Sequence, residues 1–351
     1  GKLEKAMELY NRFLAIARIE LGYVHRDVAS ILKCIGQVHH ERKEHDCAIK
    51  LYEESLRVGR IALGETHPVL ASTLNNLGNL YYEKGNYERA MKIYQEGLIM
   101  ERAVLANGHP NIIVTLTNIG QLHKQKGEYK EALRCYNEAL RMQLAMKQSS
   151  KKAVGDTLSN IALVHYLSHN FPKALCIYQE VLRIRRDALG DDHVDVASTL
   201  NTLGLVLFKL EEYSLAMENF MESYRIRQQA LGKDHPDVTV VLSNIGTVYL
   251  ETRSEDEALK VFSNVLEAER RTLGNNHPDI VRTLHRISLV QQQQGHLHLA
   301  IESCEEAVKI GRGALEQQEI KLAPILNHLG NLHLQRGSGA EAVTAFSGAL
   351  R

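Results

Sequence analysis

Alanine recurs at Ala6, Ala48, Ala90, Ala132, Ala174, Ala216, Ala258, Ala300 and Ala342, a spacing of 42 residues that never slips across a 351-residue chain. So strict a period leaves little room for an irregular core. Each period must be one supersecondary unit that buries its apolar face against the next copy. In the same phase Leu occupies 32, 74, 116, 158, 200, 242, 284 and 326, followed three residues later by Ile35, Leu77, Ile119, Ile161, Leu203, Ile245, Ile287 and Leu329. Four residues after the alanines stand Tyr10, Tyr52, Tyr94, Tyr136, Tyr178, Phe220, Phe262, Cys304 and Phe346, a ring at every place but one. Offsets of three and four share one face of a helix, so each period reads as two amphipathic helices with facing apolar stripes.

In the second full period the pattern predicts helix A from about Val69 to Glu83 and helix B from about Tyr87 to Val104, joined by Lys84, Gly85 and Asn86. Gly78 on helix A is expected to face Ala90 on helix B, their small size permitting close approach. Gly36, Gly120, Gly204, Gly246 and Gly330 repeat that position, with Ala162 and Ser288 as variants. Between periods the phrase Leu63-Gly64-Glu65-Thr66-His67-Pro68 returns at Leu231 to Pro236 and at Leu273 to Pro278. Glycine there ends helix B, proline opens helix A, and Asp237 or Asp279 sits in the first turn beside the positive helix end. The histidine before the proline belongs to the boundary.

A two-helix unit with Leu, Gly, Ala and an aromatic at these offsets resembles the tetratricopeptide repeat, lengthened from about 34 residues by roughly two helical turns. With the phrases Leu63 to Gly78 and Leu189 to Gly204, the sequence is similar to the long-repeat subclass of kinesin light chains and nephrocystin-3-like proteins. The expected fold is all-α, a right-handed superhelical solenoid of about 17 helices. It comprises a leading helix over 1–20 and repeats over about 27–62, 69–104, 111–146, 153–188, 195–230, 237–272, 279–314 and 321–351. The chain begins and ends inside a repeat and reads as a single solenoid cut from a longer protein. The punctuation fails at 147–152 and 316–321, where either ordinary connections or hinges fit.

Charge is balanced, 42 Lys and Arg against 42 Asp and Glu, which argues against a nucleic-acid or polybasic membrane surface. No apolar run is long enough to span a bilayer. Five cysteines without a CxxC pair fit reduced thiols and a cytoplasmic location. Phosphate-loop, dinucleotide and nucleophile-elbow motifs are missing, so no catalytic residue and no cofactor is expected. Of 17 histidines, His25, His67, His109, His193, His235 and His277 share one loop phase and are part of the repeat. His165 and His169 have HxxxH spacing but only two ligands, and His39 and His40, being adjacent, point to different faces, so no metal site is expected.

The family resemblance implies that helix A lines a concave groove. The inward positions would lie two before, one and two after, and five and eight after the repeated leucine. Two after it stand Cys34, Asn76, Asn118, Asn160, Thr202, Asn244, Arg286 and His328. The resemblance gives Asn76, Asn118, Asn160 and Asn244 the role of pairing with the backbone of an extended peptide. The alternative is that they tie neighbouring A helices together. Five and eight after the leucine the N-terminal repeats are polar, whereas Leu163, Tyr166, Leu205, Phe208 and Leu250 suggest an apolar stretch farther on, with Arg282 and Arg286 one turn apart at its end. The expected function is a non-enzymatic protein-interaction scaffold whose partner brings an apolar anchor and an acidic group. The alternatives are a sensor arm of a larger enzyme or nucleotide-switch receptor, and a self-associating repeat.

Overall fold

Helix boundaries follow the punctuation. In a computed structural model describing residues 1–106, 108–146, 150–314 and 322–350, the second full period forms helices Pro68–Glu83 and Tyr87–Val104, within a residue of expectation. Each of the six loop histidines caps a helix: Nδ1 accepts the backbone N–H two residues on, at 3.2 Å from Asp27 to His25 and 3.0 Å from Asp195 to His193. Val69, Asn111, Asp237 and Asp279 donate in the same way to His67, His109, His235 and His277. One otherwise orphaned donor at each helix start is thereby satisfied. At the other end Gly64 takes φ 92°, a left-handed conformation that suits glycine, and closes its helix by donating to the Arg60 carbonyl at 2.9 Å.

The chain forms two compact units, Gly1–Asn170 and Phe171–Arg351. The first holds α1 (Lys2–Leu21), α2 (Arg26–Glu41), α3 (His45–Leu63), α4 (Pro68–Glu83), α5 (Tyr87–Val104), α6 (Pro110–Gln125), α7 (Tyr129–Ala145) and α8 (Lys151–Leu167). The second holds α9 (Phe171–Leu189), α10 (Val194–Lys209), α11 (Tyr213–Leu231), α12 (Pro236–Glu251), α13 (Glu255–Leu273), α14 (Pro278–Gln293), α15 (Leu297–Ala314), α16 (Ala323–Arg336) and α17 (Gly339–Ala349). Among the described residues there is no strand. Within each unit an A helix such as α4 or α12 packs against its own B helix, the preceding B helix and the neighbouring A helices. Residues 147–149 and 316–321, in the two stretches that lack punctuation, lie outside the described residues.

The repeated glycines answer first to a ring, which stands nearer to Gly78 than any other side chain. A β-carbon on Gly78 would lie 2.5 Å from Cε1 of Tyr94. The same collision recurs between Gly36 and Tyr52 at 2.7 Å, and in the second unit between Gly204 and Phe220 at 2.5 Å. Tyr52, Tyr94 and Phe220 are fully buried or nearly so, and the helix backbone forms one wall of each ring's pocket. Where the ring becomes Cys304, the glycine becomes Ser288, whose hydroxyl donates to the Ala300 carbonyl at 2.8 Å and lies 3.1 Å from the sulfur. Burial pushes the Cys304 thiol up to about 11, which leaves it a packing atom.

A second compensation joins each B helix to the next A helix. Gly59 admits Leu70, whose Cδ2 would stand 2.5 Å from a β-carbon on Gly59, and Gly311 admits Leu322 likewise. One period after Gly59 the residue is Glu101, then Gln143, and in the second unit Arg185, Arg227 and Glu269. The residues corresponding to Leu70 are then the β-branched Ile112, Val154, Val196, Val238 and Ile280. These polar side chains are partnered inside the junction. Thr115 donates to Glu101 at 2.8 Å, Gln143 donates to the Ala153 carbonyl at 3.4 Å, and Arg227 donates to the Asp237 carbonyl and to Ser198, each at 3.1 Å. Glu101 has no exposed surface, and burial raises its carboxyl above the ordinary range.

Candidate peptide-binding face

In the first unit the A helices α2, α4 and α6, with Tyr94 of α5, enclose one cleft of about 260 Å³ that takes in residues two, five and eight after the repeated leucine. It is lined by His40, Asn79, Tyr82, Glu83, Tyr94, Asn118 and Gln121. Three successive repeats contribute. The lining is chiefly amide and hydroxyl, with Glu83 the only carboxylate in it. Tyr94 donates to Oδ1 of Asn79 at 2.5 Å, and Asn118 donates to the same oxygen at 3.2 Å. Gln121 reaches the Tyr82 hydroxyl at 3.5 Å. Tyr82 and Tyr87 stand with ring centroids 5.5 Å apart, so the wall beside the cleft is itself buttressed.

The four asparagines divide. Asn118 bonds to Asn79 on the preceding A helix, and in the second unit Asn244 donates to Asn201 at 2.9 Å. Both tie neighbouring A helices together, as the packing alternative holds, while an amide still has donor and acceptor capacity left over. Asn76 and Asn160 are half-buried on their helices.

The apolar positions are more enclosed than the pattern suggests. Leu163 and Tyr166 are half-buried on α8, and burial raises the Tyr166 hydroxyl. On α10, Leu205 and Phe208 pack partly into the core around Phe220, with the Phe208 and Tyr213 rings edge to face at 5.5 Å. Leu250 is 8 % exposed and belongs to the core with Phe262, Ile287 and Val290, so it lines no groove.

The two arginines also part company. Arg282 is exposed and pairs with Asp279 at 2.9 Å. Arg286 turns inward, donating to the Ser243 hydroxyl and, at 3.3 Å, to the Ser243 carbonyl, with its guanidinium 5.7 Å from the Phe262 ring centre. Burial, reinforced by the Arg282 charge, brings it down to about 10. One turn of spacing put both residues on the same helix, but the neighbouring α12 offers Arg286 an internal partner.

A charge ladder on the B helices went unread. Arg18 pairs with Glu54 at 3.0 Å and Arg102 with Glu138 at 2.7 Å, and Arg60 pairs with Glu96. In the second unit Arg186 meets Glu222 at 2.7 Å and Arg270 meets Glu306 at 2.6 Å. Each glutamate follows its arginine by 36 residues, a signal available from the period alone. At Gln228 and Asn264 both charges are lost together. Such exposed pairs contribute well under about 1 kcal/mol each, but they engage arginines that would otherwise be open to a ligand.

The sequence profile of the tetratricopeptide repeat matches residues 27–100, 98–145, 154–229 and 237–313. The chain belongs to the tetratricopeptide repeat family. Solved tetratricopeptide-like structures share its architecture. BtubC (BKLC) from P. vanneervenii aligns at 20 % identity and TM-score 0.59, covering 66 % of this chain and 92 % of that one. RapI in its apo form aligns at 16 % identity and TM-score 0.62, covering 81 % and 97 %. A Podosopora anserina kinesin-light-chain-type protein of nearly identical TPR-like repeats aligns at 15 % identity and TM-score 0.53, covering 59 % and 98 %. These likenesses establish the tetratricopeptide fold. No curated protein matches the sequence. No helix among the described residues is long and apolar enough to cross a membrane.

Proposed function

We propose that the chain is a non-enzymatic scaffold of the cytoplasm that binds an extended segment of a partner protein along its A helices, with the α2–α4–α6 cleft as the primary contact. The observation that carries this reading is the convergence of His40, Asn79, Tyr82, Asn118 and Gln121, from three repeats, on one amide-lined cleft. Amides and hydroxyls set side by side offer donors and acceptors to a peptide backbone, and Glu83 favours a cationic or N–H-rich side chain on the ligand. The five cysteines are free thiols, as suits a reducing compartment. In the second unit, taken by itself, Leu205 and Phe208 retain partial exposure, a place for an apolar residue. Arg286 is not assigned an acid-binding role, because it turns inward and its Nη1 donates to Ser243.

The test is selection of a peptide library on the whole chain, followed by affinity measurement with Gln121→Ala, Tyr82→Ala, and a double variant Leu205→Asp with Phe208→Ser. At least a tenfold loss in the first two, with helicity intact, is expected. Full retention in both, together with loss in the double variant, would place recognition in the second unit and overturn the reading.

A further inference from the structure

From the last turn of α2 to the first residue of α3 the chain reads His39-His40-Glu41-Arg42-Lys43-Glu44-His45, and Lys43 takes a left-handed φ of 63° that folds the turn back on itself. The adjacent histidines therefore do not remain isolated on two faces. His39 bonds with Glu44, while His40 meets Glu83 at the end of α4, with Nε2 2.9 Å from Oε2. His45 brings Nδ1 to 4.0 Å from the same oxygen. That Nδ1 is buried and has no hydrogen-bond partner among the described residues.

The repeat supplies an internal comparison. Positions 40 and 45 correspond to Tyr82 and Tyr87, and in the second unit to Phe208 and Tyr213, pairs whose ring centroids lie 5.5 Å apart. In the first repeat the pair is His40 and His45, with centroids 6.1 Å apart. In those repeats two flat rings without ring nitrogen pack across the turn, and elsewhere the pair is Lys124 and Tyr129, Leu250 and Glu255, or Gln292 and Leu297. Here both rings carry nitrogen, and a carboxylate from the next repeat reaches them. An unpartnered buried nitrogen is costly unless something else occupies its lone pair.

We propose that His40, His45 and Glu83 form a binding site for a first-row divalent metal ion of the zinc type. Zinc bound at about 2.0–2.2 Å to nitrogen and carboxylate oxygen sets tetrahedral ligand edges near 3.3 Å. The separations of 2.9 and 4.0 Å to the shared oxygen bracket that edge, and all three ligand atoms lie within 4.8 Å of one another. Imidazole nitrogens select zinc-like ions over magnesium or calcium, which demand oxygen donors. Three protein ligands leave one position for water. His40 and Glu83 also line the α2–α4–α6 cleft, so that position borders the proposed peptide path. The metal joins the turn of the first repeat to the end of the next A helix. The site stands independently of the peptide-binding proposal, since its evidence is the donor set alone.

A neighbouring trio, His39, Glu44 and Cys47, is the competing location. That trio leaves no buried ring nitrogen without a hydrogen-bond partner among the described residues, whereas His45 Nδ1 is one. The experiment titrates zinc chloride into the chelator-treated whole chain by calorimetry and follows thermal unfolding, with magnesium and calcium chlorides as controls. One zinc per chain is expected at micromolar protein, with a raised unfolding temperature and no response to the controls. His45→Gln and Glu83→Gln, each checked for helicity, should weaken binding at least tenfold, whereas Cys47→Ser should leave it unchanged. The cobalt-loaded chain should show no sulfur-to-cobalt charge-transfer band. Absence of zinc binding by the unaltered chain, affinity unchanged from it in both ligand variants, or loss of binding in Cys47→Ser with a sulfur band would each overturn the assignment.

Discussion

The ring of Tyr94 occupies the space that a β-carbon on Gly78 would need, at 2.5 Å from Cε1. Helix A and helix B of that repeat are thus held at a separation set by one aromatic ring against bare backbone, and the ring's hydroxyl is anchored on Asn79.

Gly78→Ser should therefore overpack the hairpin and destabilise it by about 1–3 kcal/mol. Tyr94→Cys alone should cost about 3 kcal/mol or more through the void it leaves. Together they reproduce the Ser288 and Cys304 arrangement of α14 and α15, so the double variant should lose less than the sum, by at least about 1 kcal/mol. A double-mutant cycle in urea measures this, and strict additivity would show that ring and glycine are not coupled.

Stability should depend on pH through Glu101. Its carboxyl is raised by burial, so the folded chain holds the proton more tightly than the unfolded one. The resulting contribution is complete below the unfolded carboxyl pKa and is lost as pH climbs through the folded value. Glu101→Gln removes the charge while keeping an acceptor for Thr115. Its urea midpoint should exceed that of the unaltered chain at pH 7 and converge with it at acid pH. A variant less stable at pH 7 would show that the carboxylate is a net stabilising partner.

Arg286 and Arg282 should separate cleanly. Arg286→Ala removes a charged donor from Ser243 and a cation from above the Phe262 ring, a loss of about 2 kcal/mol. Arg282→Ala, at an exposed pair with Asp279, should stay within about 0.5 kcal/mol. Equal and negligible effects in denaturant melts would return Arg286 to the surface.

The 42-residue period made the helices legible because it marks both their apolar stripes and their ends, down to Gly64 and the histidine caps. It did not say what each small residue faces. The stripes set Gly78 opposite Ala90, and they do not disclose that Tyr94, four residues on, carries a side chain long enough to reach back across the interface and come nearest to that glycine. The groove was harder to read for a similar reason. A position five or eight after the leucine is inward only relative to its own helix. Whether Leu250 is covered depends on the next A helix, and whether Arg286 points outward depends on Ser243 in the repeat before. His40 and His45 escaped because their meeting requires the left-handed turn at Lys43 and a carboxylate from a different repeat, neither of which adjacency in sequence discloses.

Because Gly59 receives Leu70 whereas the corresponding positions one period on are the buried, hydrogen-bonded Glu101 and the β-branched Ile112, the copies in this array are not interchangeable modules. Excising one 42-residue period between them would keep every helix in phase and every punctuation mark in place, yet would set Gly59 against Ile112, which is shaped for a different neighbour. Unequal exchange between copies is accordingly restricted to junctions that share a lock and key. Arg185 with Val196 and Arg227 with Val238 make one such pair in the second unit. The order of the repeats is thus written into their seams, and lengthening or shortening of the array over evolutionary time would be tolerated first between those two.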